Sequence, residues 1–88
     1  MVPVTIYTRD GCGYCDRARG LLARKKVAFN EINAGYSPDL KSEMVKKSGR
    51  STFPQIFVGD IHVGGCDDIF ALEDTGRLDS LLASGKLN

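Results

Sequence analysis

The residues best suited to chemistry are two cysteines, Cys12 and Cys15, which form a Cys-x-x-Cys pair. A thiolate is both a nucleophile and a metal ligand, so this pair could serve redox exchange or supply half of a zinc site. A structural zinc ion needs four ligands, and His62 and Cys66 are the only other soft ligands in the sequence. The pair therefore favours redox exchange, and no protein metal site is predicted.

The position of the pair assigns a role to each thiol. Cys12 follows a predicted strand, Val4 to Thr8, and a glycine turn, and it begins a predicted helix that continues to about Lys25. Because the free N–H groups and the dipole of a helix N-terminus favour an anion, Cys12 is predicted to attack. Cys15 lies one turn further on, so we expect it to keep a more ordinary pKa and to act as the resolving thiol.

The elements that must position this pair form a short alternating series. Gly59-Asp60 separates two short apolar runs and predicts a hairpin, whereas Ser37-Pro38 is typical of a helix start. Further strands are predicted over 27–32, 55–58 and 61–63, and further helices over 38–48, from 66 onward and over 77–83. The order is βαβαββαα. It predicts one α/β domain over residues 1–88, with a four-stranded mixed sheet and flanking helices.

Composition narrows the class of protein. The chain has 88 residues with a net charge of +1, which argues against nucleic acid as the main partner. No stretch approaches the roughly 20 apolar residues of a membrane span, and no secretory signal is visible, so we expect a cytoplasmic protein without a membrane partner. Residues 1–50 carry ten Lys/Arg against five Asp/Glu, and residues 51–88 carry two against six. The first half is therefore suited to binding small anions or acidic patches, and an ordinary solvated surface is the alternative explanation of this charge difference.

Three segments together resemble the glutaredoxins. Residues 7–15 read Tyr-Thr-Arg-Asp-Gly-Cys-Gly-Tyr-Cys, residues 49–57 contain Thr-Phe-Pro, and residues 64–68 read Gly-Gly-Cys-Asp-Asp. These are similar to the family's active-site stretch, its Thr-Val-Pro loop and its Gly-Gly-Cys-Asp-Asp turn. The resemblance implies a thioredoxin-like fold and an enzyme that catalyses glutathione-dependent thiol–disulfide exchange. It also implies a cis peptide bond before Pro54.

The resemblance further implies a binding site for glutathione as co-substrate. The Phe53 backbone would bind its cysteinyl part, and the helix start at Cys66 and Asp67 would bind its γ-glutamyl carboxylate. Asp67 would pair with the ammonium group, while Arg9, or less favourably Arg50, would meet the glycyl carboxylate. The implied glutathione-binding residues are Arg9, Tyr14, Thr52, Phe53, Pro54, Gly65, Cys66 and Asp67.

Other interpretations of these residues stay open. Gly13 stands where the family commonly has Pro, and Phe53 stands where it has Val. A small residue at the first of these positions suggests an alternative, a dimer in which Cys12 of each chain and two glutathiones hold a [2Fe-2S] cluster. Without a cluster we expect a monomer. A general disulfide reductase fed directly by a flavoenzyme, as in thioredoxins, is a third candidate. Asp68 is predicted to be a helix cap. Apart from the resemblance, Cys66 is predicted to be a small buried side chain and not a redox thiol.

Overall fold

The structure, a computed structural model, describes residues 2–87 and has the predicted element order βαβαββαα. The strands are β1 Val4–Thr8, β2 Asn30–Asn33, β3 Gln55–Val58 and β4 Ile61–Gly64. The helices are α1 Gly13–Arg24, α2 Pro38–Ser48, α3 Cys66–Asp74 and α4 Leu78–Ser84. None of the helices within these residues is long and apolar enough to cross a membrane.

The sheet topology brings two loops to one edge. The strand order is β2-β1-β3-β4, with β1 parallel to β2 and antiparallel to β3, and β3 antiparallel to β4. Tyr7, near the end of β1, pairs with Gln55 at the start of β3. Because these strands run in opposite directions, the chain that leaves β1 toward Cys12 lies beside the chain that enters β3 through Pro54. The mixed sheet predicted from the sequence is confirmed.

Both faces of the sheet are covered. Val4 and Ile6 of β1 belong to a core that includes residues of α1, α3 and α4, whereas Tyr7 packs with Met44 of α2 on the other face. Successive side chains of a strand point to opposite faces, so β1 contributes to both cores. This explains why β1 is almost entirely buried and why its sequence is apolar or Thr. The end of β1 is therefore a rigid support for the residues that follow.

The second strand begins later than the sequence predicts. Strand β2 covers Asn30–Asn33 rather than residues 27–32. After α1 the backbone of Lys26 turns into the left-handed region with φ 58°, and the N–H of Val27 still bonds to the carbonyl of Leu22 at 3.4 Å. Val27 is buried in the core without pairing to β1, whose ladder with β2 starts at Asn30. Val27 and Phe29 pack into the core without extending the strand, whereas Ala28 is exposed.

Candidate active site

The sulfur of Cys12 caps helix α1. Cys12 is the N-cap residue, with extended backbone angles, and its Sγ accepts a hydrogen bond from the backbone N–H of Cys15 at 3.1 Å. The helix begins at Gly13, one residue later than predicted, because Cys12 takes this capping position. The thiol is reduced and only 5% exposed, and its sulfur lies 3.9 Å from the carbonyl oxygen of Phe53. The sulfur is thus held between a helix N-terminus and the loop that enters β3.

The second thiol lies deeper than the sequence suggested. Cys15 is fully buried on the core side of α1. Burial, followed by the hydrogen bond with Cys12, raises the pKa of Cys15 well above its usual value. The prediction of an ordinary pKa is therefore wrong, because position along the helix did not reveal how completely the core covers this sulfur. The two thiols still differ in position, because Cys12 caps the helix beside the loop that enters β3 and Cys15 lies on the core side.

A cavity beside the capped helix joins most of the predicted binding residues. It lies between the start of α1, the loop before β3 and the start of α3, and the peptide bond between Phe53 and Pro54 is cis, as the resemblance implied. Arg9 instead lines an adjoining cavity that shares Thr52 and Phe53 with the first and also includes Lys41. The residues lining the first cavity are Tyr14, Arg50, Thr52, Phe53, Pro54, Gly65, Cys66, Asp67 and Asp68.

The start of α3 is capped by a carboxylate. Asp68 Oδ2 accepts from the N–H of Gly65 at 2.8 Å and from Nη1 of Arg50 at 3.0 Å. These two bonds, the backbone one first, lower the pKa of Asp68. The prediction that Asp68 is a helix cap is confirmed. The resemblance suggested Arg50 as a second, less favourable contact for the glycyl carboxylate. Arg50 instead forms an ion pair with Asp68 and lines the first cavity.

Two features of this site were not anticipated from the sequence. Gly64 has φ 115°, and a Cβ there would lie 2.7 Å from Cγ of Asp68, so the closest backbone approach is at Gly64. At Gly65, by contrast, a Cβ would make only an ordinary contact of 3.4 Å with the carbonyl of Pro54. The second feature is Gln55, whose buried side chain bonds to Thr52. The position of a polar residue in an otherwise apolar strand could have indicated that Gln55 is buried and hydrogen-bonded.

The remaining candidates have structural partners. Cys66 is buried at the edge of the cavity, and burial raises the pKa of its thiol, in keeping with a small core side chain. His62 bonds to Gln55, with 2.7 Å between Nε2 and Oε1, so its ring has a partner within the fold. Tyr14 is 58% exposed at the mouth of the cavity. Asp67 is exposed and makes no salt bridge with any other residue in 2–87.

Comparison with known proteins identifies the family. Residues 4–63 match the sequence model of the glutaredoxin family. The chain belongs to the glutaredoxin family. It is similar to the glutaredoxin of Pseudomonas aeruginosa, with 52% identity over 84 residues that cover 96% of this chain and 100% of the relative.

Solved structures of glutaredoxins agree with this assignment. The glutaredoxin of Brucella melitensis is 65% identical and superimposes with a TM-score of 0.89, covering 100% of this chain and 96% of its own. A structure described as "Metal Binding of Glutaredoxins" is 64% identical, with a TM-score of 0.77 and the same coverage. The predicted thioredoxin-like fold is confirmed. The chain is a thiol–disulfide oxidoreductase with glutathione as co-substrate, which is the general role of glutaredoxins.

Proposed function

We propose that this chain reduces mixed disulfides between glutathione and proteins, with Cys12 as the nucleophile and glutathione bound in the cavity beside it. The observation that carries the proposal is the position of the Cys12 sulfur. It caps α1, accepts the N–H of Cys15, and lies 3.9 Å from the carbonyl of Phe53 on the loop that borders the cavity. A helix N-terminus stabilises an anionic sulfur, so Cys12 can act both as attacking group and as leaving group.

Each charged end of glutathione would face protein groups of complementary charge. The γ-glutamyl carboxylate would bind the first N–H groups of α3 at Cys66 and Asp67, because Asp68 caps Gly65 and leaves those groups to the ligand. The exposed carboxylate of Asp67 would pair with the ligand's ammonium group. The glycyl carboxylate would lie in the adjoining cavity beside Arg9, with Lys41 as a second cation.

The middle of the ligand would bind as an added strand. Phe53 precedes Pro54 at the entry to β3, and its backbone N–H and carbonyl would pair with the cysteinyl part of glutathione. Thr52 and the ring of Tyr14 would border the sulfur. This arrangement sets the glutathione sulfur against Cys12 and leaves the protein half of the mixed disulfide in solvent.

The exchange then proceeds in two steps. The Cys12 thiolate attacks the glutathione sulfur, a Cys12–glutathione disulfide forms, and the protein leaves as a thiolate that takes a proton from water. A second glutathione, as thiolate, attacks the glutathione sulfur of that disulfide, which yields oxidised glutathione and restores the Cys12 thiolate. One disulfide breaks and one forms in each step, so the two steps together consume one glutathione thiol for each protein thiol released.

Cys15 is needed for a different substrate. When Cys12 attacks a protein disulfide, the mixed disulfide joins enzyme and substrate, and the cavity holds no glutathione sulfur to exchange. The Cys15 thiol would then lose its proton and attack Cys12, which releases the substrate and forms the intramolecular disulfide. Because burial opposes the Cys15 thiolate, this step is slower than attack by Cys12.

The test compares two serine variants on two substrates. We expect Cys12→Ser to lose reduction of both a glutathionylated peptide and a protein disulfide, since it lacks the nucleophile. Cys15→Ser should keep peptide deglutathionylation and lose protein-disulfide reduction. Rates are measured with glutathione and with a thioredoxin-type flavoenzyme as separate reductants. Equal loss of deglutathionylation in both variants would contradict the assigned roles, and activity that needs no glutathione would favour the thioredoxin-like alternative.

A cluster-bridged dimer is a second candidate. Residues 2–87 contain no group of three His, Cys, Asp or Glu side chains placed to hold a metal, so ligands for a [2Fe-2S] cluster would be Cys12 of two chains and two glutathione thiols. The surface at Gly13, beside Cys12, is open to a second chain, because even a Cβ built there meets no atom within 4 Å. A similar structure is described as concerning metal binding of glutaredoxins.

Anaerobic reconstitution tests the cluster. With iron, sulfide and glutathione, we expect visible charge-transfer bands and a dimer on gel filtration, whereas the protein without iron should elute as a monomer. Cys12→Ser should abolish the bands and Cys15→Ser should keep them, because only the first removes a ligand. Absence of both bands and dimer in the wild type would refute this candidate and leave the oxidoreductase proposal intact.

A further inference from the structure

Gln55 makes a buried polar link between strand β4 and the loop before β3. Its side chain is fully buried, and its Nε2 donates to the backbone carbonyl of Thr52 and to Oγ1 of Thr52, both at 3.1 Å. On its other side, Oε1 lies 2.7 Å from Nε2 of His62 in β4. These side-chain contacts are not part of the backbone hydrogen bonding of the sheet. They hold the loop before β3 against strand β4.

The orientation of the amide follows from its partners. The carbonyl of Thr52 can only accept, so the NH₂ group of Gln55 must face it and the amide oxygen must face His62. His62 therefore donates from Nε2. Burial and the Arg50 guanidinium lower the pKa of His62, which keeps the ring neutral near pH 7. Protonation would add a hydrogen only at Nδ1, so the link survives it. The contact of His62 with Phe57, 5.0 Å between ring centroids, holds the imidazole in place.

The carbonyl that Gln55 holds belongs to the same peptide unit as the N–H of Phe53. A peptide unit is planar, and in the trans form its C=O and N–H point in opposite directions. The only cis bond within residues 2–87 is the next one, between Phe53 and Pro54. Fixing the carbonyl of Thr52 toward the buried amide therefore turns the N–H of Phe53 away from the interior, toward the cavity beside Cys12.

We propose that Gln55, held by His62, is a positioning residue that orients the Phe53 N–H for the cysteinyl part of glutathione. This inference rests on the function proposed above, because it assigns a determinant of the same site. Gln55 itself touches neither ligand nor sulfur. Loss of the link would free the Thr52–Phe53 peptide unit to rotate and would leave the carbonyl of Thr52 without its buried donor.

Two variants at position 55 give different signatures. Gln55→Leu removes the donor at every pH and should raise the KM for a glutathionylated peptide about tenfold with little change in kcat, because the lost contact serves ground and transition states alike. Gln55→Glu keeps the shape. Its carboxylic acid can still donate to Thr52 when protonated, whereas its carboxylate repels that carbonyl. The ratio of its KM to that of wild type should therefore rise from near one at low pH to about tenfold at high pH.

Three controls separate positioning from general damage. The rate of Cys12 alkylation by iodoacetamide, which needs no glutathione groove, should stay near that of wild type. Ser84→Ala removes a side-chain hydrogen bond to the carbonyl of Ser80 in α4, an element that lines neither cavity, and should leave the KM unchanged. His62→Phe keeps an aromatic ring on Phe57 but removes the donor to Gln55, so it should raise the KM about threefold, less than Gln55→Leu.

The outcomes distinguish this inference from the function on which it rests. A folded Gln55→Leu with a KM within twofold of wild type, or a Gln55→Glu whose KM ratio does not change with pH, would overturn the positioning role. A fall in alkylation rate that matches the loss of kcat/KM would also overturn it, since the damage would then be general. Wild-type protein without glutathione-dependent activity would refute the proposed function instead. If Gln55→Leu does not fold, the pH series on Gln55→Glu decides.

Discussion

Two helices begin at the same cavity, and they satisfy their free N–H groups in different ways. Helix α1 uses the sulfur of Cys12, which accepts the N–H of Cys15 at 3.1 Å. Helix α3 uses a carboxylate from inside its own first turn, since Asp68 accepts the N–H of Gly65 at 2.8 Å. In both cases a backbone N–H that lacks a partner within its helix gains an acceptor, and the acceptor lies at the positive end of the helix dipole.

The difference lies in which atoms remain available for a ligand. At α1 the capping atom is itself the reactive atom, so the helix N-terminus acts directly on the sulfur that attacks. At α3 the capping carboxylate of Asp68 already accepts hydrogen bonds from the N–H of Gly65 and from Nη1 of Arg50, the latter at 3.0 Å. The carboxylate of Asp67 and the following N–H groups are then free to meet the ligand. One helix N-terminus is thus suited to chemistry and the other to recognition.

Disruption of the α3 cap should lower the stability of the protein more than any change at the start of α1. Gly64→Ala places a Cβ 2.7 Å from Cγ of Asp68 and 3.0 Å from Nη1 of Arg50, on a backbone with φ 115°. We expect the free energy of unfolding to fall by about 3 kcal/mol, because strain and the lost cap act together. Urea denaturation measures this change.

The matched control lies at the other helix. Gly13 is the first residue of α1, its backbone does not have a positive φ, and a Cβ there meets no atom within 4 Å. Gly13→Ala should therefore change the free energy of unfolding by less than about 0.5 kcal/mol. A loss as large as that in Gly64→Ala would show that the strain argument does not distinguish the two helix starts.

Asp67 and its neighbour Asp68 should separate recognition from capping. Asp67→Ala is expected to weaken glutathione binding by about 1–3 kcal/mol, because the ligand's ammonium group would lose its partner, and the effect should appear as a raised KM with little loss of stability. Kinetics at varied glutathione concentration measure it. An unchanged KM would assign Asp67 to the helix dipole alone.

The sequence predicted the elements and the motifs well, but it did not predict contacts that form only when distant segments meet. The pattern from Val4 to Thr8 and the hairpin at Gly59-Asp60 depend on neighbours in the chain, and both were placed correctly. The pairing of Arg50 with Asp68, 18 residues away, depends on the packing of α3 against the β3 entry, and composition carries no signal for it. Depth of burial at Cys15 was missed for the same reason.

Strand β2 shows the other kind of failure. The apolar residues before Asn30 predicted an extended strand, but hydrophobicity specifies burial and not pairing. Val27 satisfies that requirement by entering the core directly after the turn at Lys26. Most contacts of the binding site came instead from the family resemblance, and its individual residues stay predictions until variants such as those above are measured.

The carboxylate cap of α3 should also make the stability of the protein weakly dependent on pH. Two bonds lower the pKa of Asp68 below its usual value, the N–H of Gly65 first and Arg50 second. The unfolded chain then binds more protons than the folded one in acid. The stabilisation by the carboxylate is therefore complete above the ordinary carboxyl pKa, and it is lost as pH falls through the lower pKa of the folded state. Asp68→Asn, which keeps an oxygen for Gly65 but loses the charge, should cost about 1 kcal/mol at pH 7 because the side chain is half exposed.

Urea denaturation of both proteins from pH 7 to pH 3 tests this expectation. The difference in the free energy of unfolding should be constant down to about pH 5 and should shrink below about pH 4, where the unfolded chain takes up a proton at Asp68 while the folded state still keeps the carboxylate. Asp74→Asn, at the exposed C-terminal end of the same helix, serves as the control for the loss of one carboxylate. A difference for Asp68→Asn that stays constant to pH 3 would mean that its charge contributes nothing. The cap of α3 would then depend on oxygen geometry alone, as the sulfur cap of α1 depends on the position of Cys12.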